Sequence, residues 1–188
     1  MSLKHAILAM IDIDKGSGYD LAKRFDQSVG FFWPSTYQQV YRDLGRLEHD
    51  GLVNAEKVSQ QGKPDKKIYS ITPAGITELK SWLSVPAKPM KIKDTFLIKL
   101  FGGHQLSRQE LLEDLDRQQL EHEATLERYT RIAEGLKSQG EDVFMKYFLP
   151  YQTLDLGIRF EQTWLQWSED LRQKLEGSQA AAAGALPK

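Results

Sequence analysis

Cysteine is absent from the 188 residues. That removes disulfides, thiolate metal ligands and cysteine nucleophiles, and it fits a cytoplasmic protein. Long apolar runs are missing as well: no stretch approaches the roughly 18 residues that a membrane-spanning helix needs. Met1-Ser2-Leu3-Lys4-His5 leads into a short helical pattern with no small-residue cleavage site, so no secretory signal and no membrane partner are expected. Histidine is scarce. His5, His49, His104 and His122 are scattered, and no pair has metal-ligand spacing on one helix face, so no metal site is expected. Nucleophile-elbow, phosphate-loop and dinucleotide fingerprints are also missing. No catalytic residue and no cofactor are therefore expected, and an enzyme is the least favoured class.

A strong charge of either sign is lacking, with a formal net charge of −1. The charge is nevertheless uneven. Residues 1–90 hold 12 Lys and Arg against 10 Asp and Glu, and residues 91–188 hold 13 against 16. Binding to a polyanion depends on where cations cluster rather than on the total, so this permits a nucleic-acid partner without establishing one.

What is present begins with residues 33–53. Pro34 cannot sit inside a helix, and Ser35 or Thr36 can cap one. Val40, Leu44 and Leu47 recur at helical spacing, with Tyr37 one turn earlier, and give the buried stripe. Gly51 ends the helix. Outside the stripe lie Thr36, Gln38, Gln39, Tyr41, Arg42 and Arg46, side chains that read base edges and phosphates. Gln pairs with adenine and Arg with guanine or phosphate. Ser35 and Thr36 stand at a helix N-terminus, where free amides can hold a phosphate. The alternative is an ordinary exposed helix face. Arg46 reads as a surface ion-pair partner of Asp43 or Asp50.

Before this stretch, residues 3–14 read as a helix with Leu3, Ile7, Leu8 and Ile11 on one side. Residues 15–18 form a turn, and Ser17 caps a second helix from about Gly18 to Gln27 that turns Leu21, Ala22 and Phe25 inward. Tyr19 either anchors that helix to a phosphate or packs on the first helix. Phe31, Phe32 and Trp33 then cross to the opening stretch. They either seal the core beneath the helix or form a small aromatic pocket.

After Gly51 the pattern turns to period two, with strands at residues 52–58 and 67–71. Ser59 to Lys66 is read as a turn-rich tip. Lys63, Lys66 and Lys67 there suit phosphate or minor-groove contacts, against the plainer reading of a solvated turn. Thr72-Pro73 opens a fourth helix that faces Ile76, Leu79, Trp82 and Leu83 inward. Helix, helix, helix, hairpin, helix is the order of a winged helix-turn-helix. The expected fold is thus mainly α with a small β-hairpin, covering residues 1–85, with a proline-stiffened linker at 86–92.

An all-helical domain is expected at 93–176. It starts with a helix from Lys91 to Phe101. A long helix follows from the capping box Ser107/Glu110 to about Lys137. Its heptad positions are Leu112, Gln119, Leu126, Ala133 and Leu115, His122, Tyr129, Leu136. The seam is partly polar, so packing against other helices, including a second subunit, is expected. After Gly140 comes a short helix to Phe148, a break at Pro150, and a last helix from Tyr151 to Leu175 with Phe160, Trp164, Trp167, Leu171 and Leu175 on one face. Residues 177–188 read as a disordered tail.

Gly18-Tyr19-Asp20-Leu21, Phe32-Trp33, Gln38 to Leu44, Gly51-Leu52-Val53, Gly62 to Thr72 and Ala74-Gly75 together resemble the PadR family of transcriptional regulators, in its AphA-like branch. The last helix, with Trp164 and Trp167, looks like that family's C-terminal dimerisation domain. The resemblance implies a homodimer whose winged helices bind a pseudo-palindromic operator in double-stranded DNA. The helix from Ser35 and the wing lysines would contact DNA, and Tyr19 matches the family's tyrosine at the start of its second helix. Some relatives sense small aromatic ligands. The second reading is therefore a ligand-responsive sensor whose Phe31, Phe32, Trp33, Trp164 and Trp167 bind a planar effector at the domain junction.

Overall fold

A computed structural model describes residues 3–60 and 63–177, and leaves the side chains of Phe31, Gln60, Lys63 and Pro64 undescribed. The tail expected at 177–188 lies outside the described residues from 178 onward. The fold is mainly helical with one small antiparallel sheet, and the chain divides into two compact units between Pro89 and Met90.

The first unit contains α1 (Leu3–Ile13), β1 (Gly16–Ser17), α2 (Gly18–Asp26), α3 (Tyr37–His49), β2 (Val53–Gln60), β3 (Lys63–Ile71) and α4 (Pro73–Leu83). Local chemistry sets most of the helix starts. Ser17, Thr36 and Thr72 accept the third following amide, and Asp20 and Gln39 return the bond to the capping residue. Ile7, Leu8 and Ile11 of α1, Leu21, Ala22 and Phe25 of α2, and Val40, Leu44 and Leu47 of α3 form one core with Val53, Tyr69 and Leu79. Leu44 is wholly buried, so truncating it to alanine would cost about 2–5 kcal/mol.

Two turns tie the sheet to α3. Gly51 takes a φ of 68°, the left-handed region that a side chain disfavours, and delivers the chain from α3 to β2. Thr72 Oγ1 then donates to the Gly51 carbonyl at 2.8 Å and Thr72 N to the Leu52 carbonyl at 3.1 Å. Gly75 lies so close to Leu52 that a Cβ would come within 2.1 Å of its carbonyl oxygen.

Several expectations need correcting here. The sheet has three strands in the order β1-β3-β2, because Gly16 and Ser17, read as a plain turn, pair with Tyr69 and Ile68. The hairpin strands run to Gln60 and from Lys63, with an irregularity between Val58 and Gln60, so the tip is shorter than the sequence suggests. Strand β3 runs through Pro64-Asp65 despite their turn-like chemistry, but neither residue has a register partner: pairing passes from Val58 with Lys66 to Gln60 with Lys63. Tyr37 is half-exposed, and Leu83 and Trp82 are not core residues. Trp82 lies instead against the imidazole of His5, stacked at 4.6 Å. Phe32 and Trp33 are exposed and do not seal the core. They follow a single 3-10 turn at Val29–Phe31 rather than crossing beneath α3.

The second unit contains α5 (Thr95–Phe101), α6 (Arg108–Lys137), α7 (Glu141–Lys146) and α8 (Phe148–Gly177). Asp94 caps α5, which is shorter than expected, and Ser107 and Glu110 form the box that starts α6. Pro150 does not break the chain. It sits in the first turn of α8, where its missing N–H has no intrahelical acceptor to lose. Phe96, Leu115 and Trp164 centre the core, with Leu165, Trp167 and Leu171 around it.

Helices α6 and α8 pack antiparallel, and polar pairs stud their seam. Gln119 Nε2 donates to Ser168 Oγ at 2.8 Å, and the Ser168 hydroxyl donates in turn to the Leu165 carbonyl. His122 Nδ1 bonds Glu161, and Arg172 pairs with Asp116 and with Gln119 Oε1. The Trp164 indole stacks on His122 at 3.7 Å. The inward face of α8 is therefore Leu154, Glu161, Trp164 and Ser168, while Phe160, expected inside, is half-exposed.

Candidate nucleic-acid interface

Helix α3 turns one face out of the first unit. Its stripe of Val40, Leu44 and Leu47 is fixed in the core, so Gln38, Arg42 and Arg46 must point to solvent, and all three are exposed. Arg42 is the freer of the two arginines. Its Nε is 3.9 Å from Asp43, whereas the Arg46 guanidinium donates to the same carboxylate at 3.4 Å.

The residues at the α3 N-terminus are less free than their types suggest. Gln39 Oε1 accepts from Thr36 N at 2.8 Å, from Ser35 Oγ at 3.2 Å and from Thr36 Oγ1 at 3.3 Å. Thr36 Oγ1 in turn accepts from Gln39 N. Ser35, Thr36 and Gln39 thus form one cap that sets the direction of the helix, with Gln38 and Arg42 projecting beyond it.

The wing lysines differ from one another. Lys66 and Lys67 lie within β3, opposite Val58 and Lys57, rather than on a loop tip. Lys67 Nζ donates at 2.9 Å to both carboxylate oxygens of Glu48 in the last turn of α3. That hydrogen bond, with the charge behind it, raises the Lys67 pKa above the ordinary lysine value. Lys66 is partly buried, and its charge helps hold the Asp20 carboxyl below its usual range, after the larger effect of the Ser17 hydroxyl. Lys63 opens β3 opposite Gln60, and its side chain lies outside the described residues.

Tyr19 stands one residue inside α2 with 61% of its surface exposed. Tyr41, 45% exposed, is its neighbour across Gly18. Sequence patterning had placed Tyr41 on the outer face but gave no sign of this contact, which a side chain at residue 18 would block.

The five aromatics read as an effector site do not behave alike. Phe32 and Trp33 are exposed in the first unit, and the side chain of Phe31 lies outside the described residues. Trp164 and Trp167 belong to the second unit. There Trp164 is covered by His122 on one side and lies tilted against Phe96 at 6.1 Å, and Trp167 meets Phe96 edge-on at 6.3 Å. The Trp164 indole Nε1 is buried without a hydrogen-bond partner among the described residues.

Comparison with known proteins gives this geometry a context. The family model of the PadR-like transcriptional regulators matches residues 7–81, and that of the virulence activator alpha C-terminal domain matches residues 92–176. The chain is 32% identical to a probable transcriptional regulator of Mycobacterium tuberculosis, over 94% of this chain and 98% of that protein. It is 31% identical to the negative transcriptional regulator PadR of Bacillus subtilis, over 90% and 94% of the two chains. Bacillus subtilis PadR in complex with operator DNA superposes with a TM-score of 0.79 at 30% identity, covering 93% of this chain and 99% of that one. The same protein with p-coumaric acid gives 0.74 at 28% identity, covering 93% and 95%. The Vibrio cholerae virulence activator AphA gives 0.72 at 27%, covering 94% and 99%.

Proposed function

This chain belongs to the PadR-like family of transcriptional regulators, and from that premise we propose that it acts as a homodimer that binds a pseudo-palindromic DNA operator. The observation that carries this reading is the outward face of α3. A capped, amphipathic helix presents Gln38 and Arg42 on a rigid core, with β2 and β3 braced beside it through the Lys67–Glu48 pair. The helix fits the major groove, where Gln38 would pair with adenine and Arg42 with guanine or a phosphate. The cap residues Ser35, Thr36 and Gln39 would meet the backbone at the helix entrance. Tyr19, Lys63 and Lys66 would hold phosphates, which position the protein without specifying sequence. The complex of Bacillus subtilis PadR with operator DNA supports this assignment.

The second copy is proposed from the second unit. Phe101 is 93% exposed and Ile98 beside it on α5 is exposed too, as are Leu149 and Leu156 on α8, apolar area that water does not favour. A second chain would cover it, in agreement with the two-fold symmetry that most soluble oligomers adopt. Half-sites would then lie about one turn of DNA, or a multiple of it, apart. Selection of bound sites from random duplexes, with sedimentation of the free chain, tests both parts. Recovery of an inverted repeat and a mass of two chains is expected. Recovery of no common sequence, or a monomer at micromolar concentration, would overturn the corresponding part.

Sensing of a small aromatic ligand is the second reading, supported by the p-coumaric acid complex of Bacillus subtilis PadR and by the exposed Phe32 and Trp33. Titration of tryptophan fluorescence with p-coumaric acid, in wild type and in Trp33→Phe, tests it. Saturable quenching that the variant loses is expected. No quenching in the wild type would sink the idea.

A further inference from the structure

Three tyrosines surround the start of α2, and the fold makes no use of their hydroxyls. Tyr37 and Tyr41 lie one turn apart on the flank of α3 between its buried stripe and its outermost residues, and Tyr19 is the second residue of α2. All three are substantially exposed, at 44%, 45% and 61%. None of their hydroxyls makes a hydrogen bond among the described residues.

Gly18 is what lets Tyr41 lie against the start of α2, beside Tyr19. A Cβ on residue 18 would lie 2.7 Å from Tyr41 Cε1, so the Tyr41 ring occupies the space a side chain would have taken. Partial burial raises the Tyr41 pKa first, and Asp20, Tyr19 and Tyr37 add to the effect, which keeps this phenol protonated and able to donate. The carboxylate that acts on Tyr41, Asp20, is engaged elsewhere: it accepts from both the amide and the hydroxyl of Ser17 in the α2 cap. Lys66 supplies a positive field beside it.

We infer that Tyr19, Tyr37 and Tyr41 form an uncharged, hydroxyl-lined seat for one phosphate of the DNA backbone beside α3, with phenol O–H groups donating to its oxygens. The inference rests on the DNA-binding reading and deepens it by adding Tyr37 and Tyr41. An α-helix with its side chains is about 10–12 Å across, and the B-DNA major groove is about 12 Å wide. When the outer face of α3 meets base edges, its flanks therefore meet the phosphate walls.

Neutral donors leave a signature that lysines do not. A lysine that reaches a phosphate releases a counterion, so its removal flattens the dependence of affinity on salt. A phenol releases none. The test uses the full-length chain and a fluorescently labelled duplex of mixed sequence, since a phosphate contact needs no operator. Binding is measured over a series of potassium chloride concentrations for wild type, Y41F, Y37F and the triple variant Y19F/Y37F/Y41F. Phenylalanine keeps each ring and its packing over Gly18, so an unchanged melting temperature serves as the control for folding, and Y19F, the least packed change, stands in should the triple variant unfold. The triple variant is expected to bind roughly tenfold more weakly, as for the loss of a hydrogen bond to a charged group, with the salt slope unchanged. Wild-type affinity in the triple variant would overturn the seat alone, as would a flattened slope, which would assign the effect to displaced lysines. A wild-type chain that shows no salt-dependent retention would overturn the DNA-binding reading and the seat with it.

Discussion

Lys66 and Lys67 are adjacent on one strand, yet the structure gives them different weights in DNA binding. Lys67 already spends its charge on Glu48, donating at 2.9 Å to both carboxylate oxygens. A lysine so neutralised brings little net charge to a phosphate, whereas Lys66 has no such bidentate partner among the described residues. Each phosphate neutralised contributes about 0.9 to the slope of log affinity against log salt. A fourfold change in salt then alters affinity by about 3.5-fold per contact, or about 12-fold for two symmetry-related contacts in a dimer. Lys66→Ala should therefore reduce the slope by about two units in the dimer, and Lys67→Ala by clearly less. Glu48→Gln should do the reverse, freeing Lys67 and steepening the slope. The pair is partly exposed, at 43% and 34% for the two side chains, so breaking it should leave the melting temperature nearly unchanged. Fluorescence anisotropy on a selected operator, at several salt concentrations, measures all three variants. Equal flattening by Lys66→Ala and Lys67→Ala, or no steepening in Glu48→Gln, would refute the assignment of Lys67 as the brace between the sheet and α3.

Other predictions follow from the same geometry. Among the described residues Arg42 has a single ion pair, with Asp43 at 3.9 Å, so Arg42→Ala should leave thermal stability unchanged. It should cost about 1–3 kcal/mol of specific binding and relax selectivity at one base pair; unaltered operator affinity would remove Arg42 from the reading face. His122→Ala should cost about 3–5 kcal/mol in denaturant unfolding, because it strands Glu161 in the α6–α8 seam, while the double change of His122 and Glu161 to leucine should be near neutral. Equal losses in the two variants would show that packing, not the stranded charge, carries the cost. The depressed pKa of Asp20, owed first to the Ser17 hydroxyl, means its stabilisation is present above the unfolded carboxylate pKa and lost as pH falls through the folded value. Asp20→Asn should thus melt lower at neutral pH and lose less on acidification, as thermal melts across pH would record.

The parts legible in the sequence were those decided by neighbours within one turn. Ser17, the Ser35-Thr36 pair, and Ser107 with Glu110 name their helix starts because a cap and the amide it accepts lie within one turn. The core stripe of Val40, Leu44 and Leu47 is equally local. Features made by distant strands or helices were not legible. Gly16 and Ser17 carry no strand pattern, and they pair only because Ile68 and Tyr69 arrive beside them. Tyr37 occupies the edge of the α3 stripe at the first helical position, where periodicity alone assigns it inward and the structure leaves it half-exposed. The Lys67–Glu48 brace spans 19 residues, and neither residue type signals it. Gln38 and Arg42 follow as outward-facing from periodicity, whereas Gln39, equally polar and equally placed by it, turns back to the Thr36 amide at 2.8 Å.

The polar positions in the long helices make the same point with a consequence for assembly. Gln119 and His122 look like defects in the α6 heptads, and Glu161 and Ser168 like defects in α8. Each defect answers one on the other helix. A seam of leucines alone would tolerate a slip of one heptad between two helices of 30 residues each. Here a slip in one direction would bring Glu161 to Leu115 and His122 to Leu154, and in the other Ser168 to Leu126. The first strands the buried carboxyl of Glu161 away from its hydrogen-bond partner His122, and the second buries an unsatisfied hydroxyl. The polar pairs therefore select one register at the expense of some apolar burial. A slip of one heptad would keep the same face of α8 inward, so register fixes not which side chains face out but the level at which the exposed Leu156 and Phe160 stand along α6. The surface proposed for the second subunit is thus set by hydrogen bonds inside the first, and a variant that loses them should lose a defined dimer before it loses its helices.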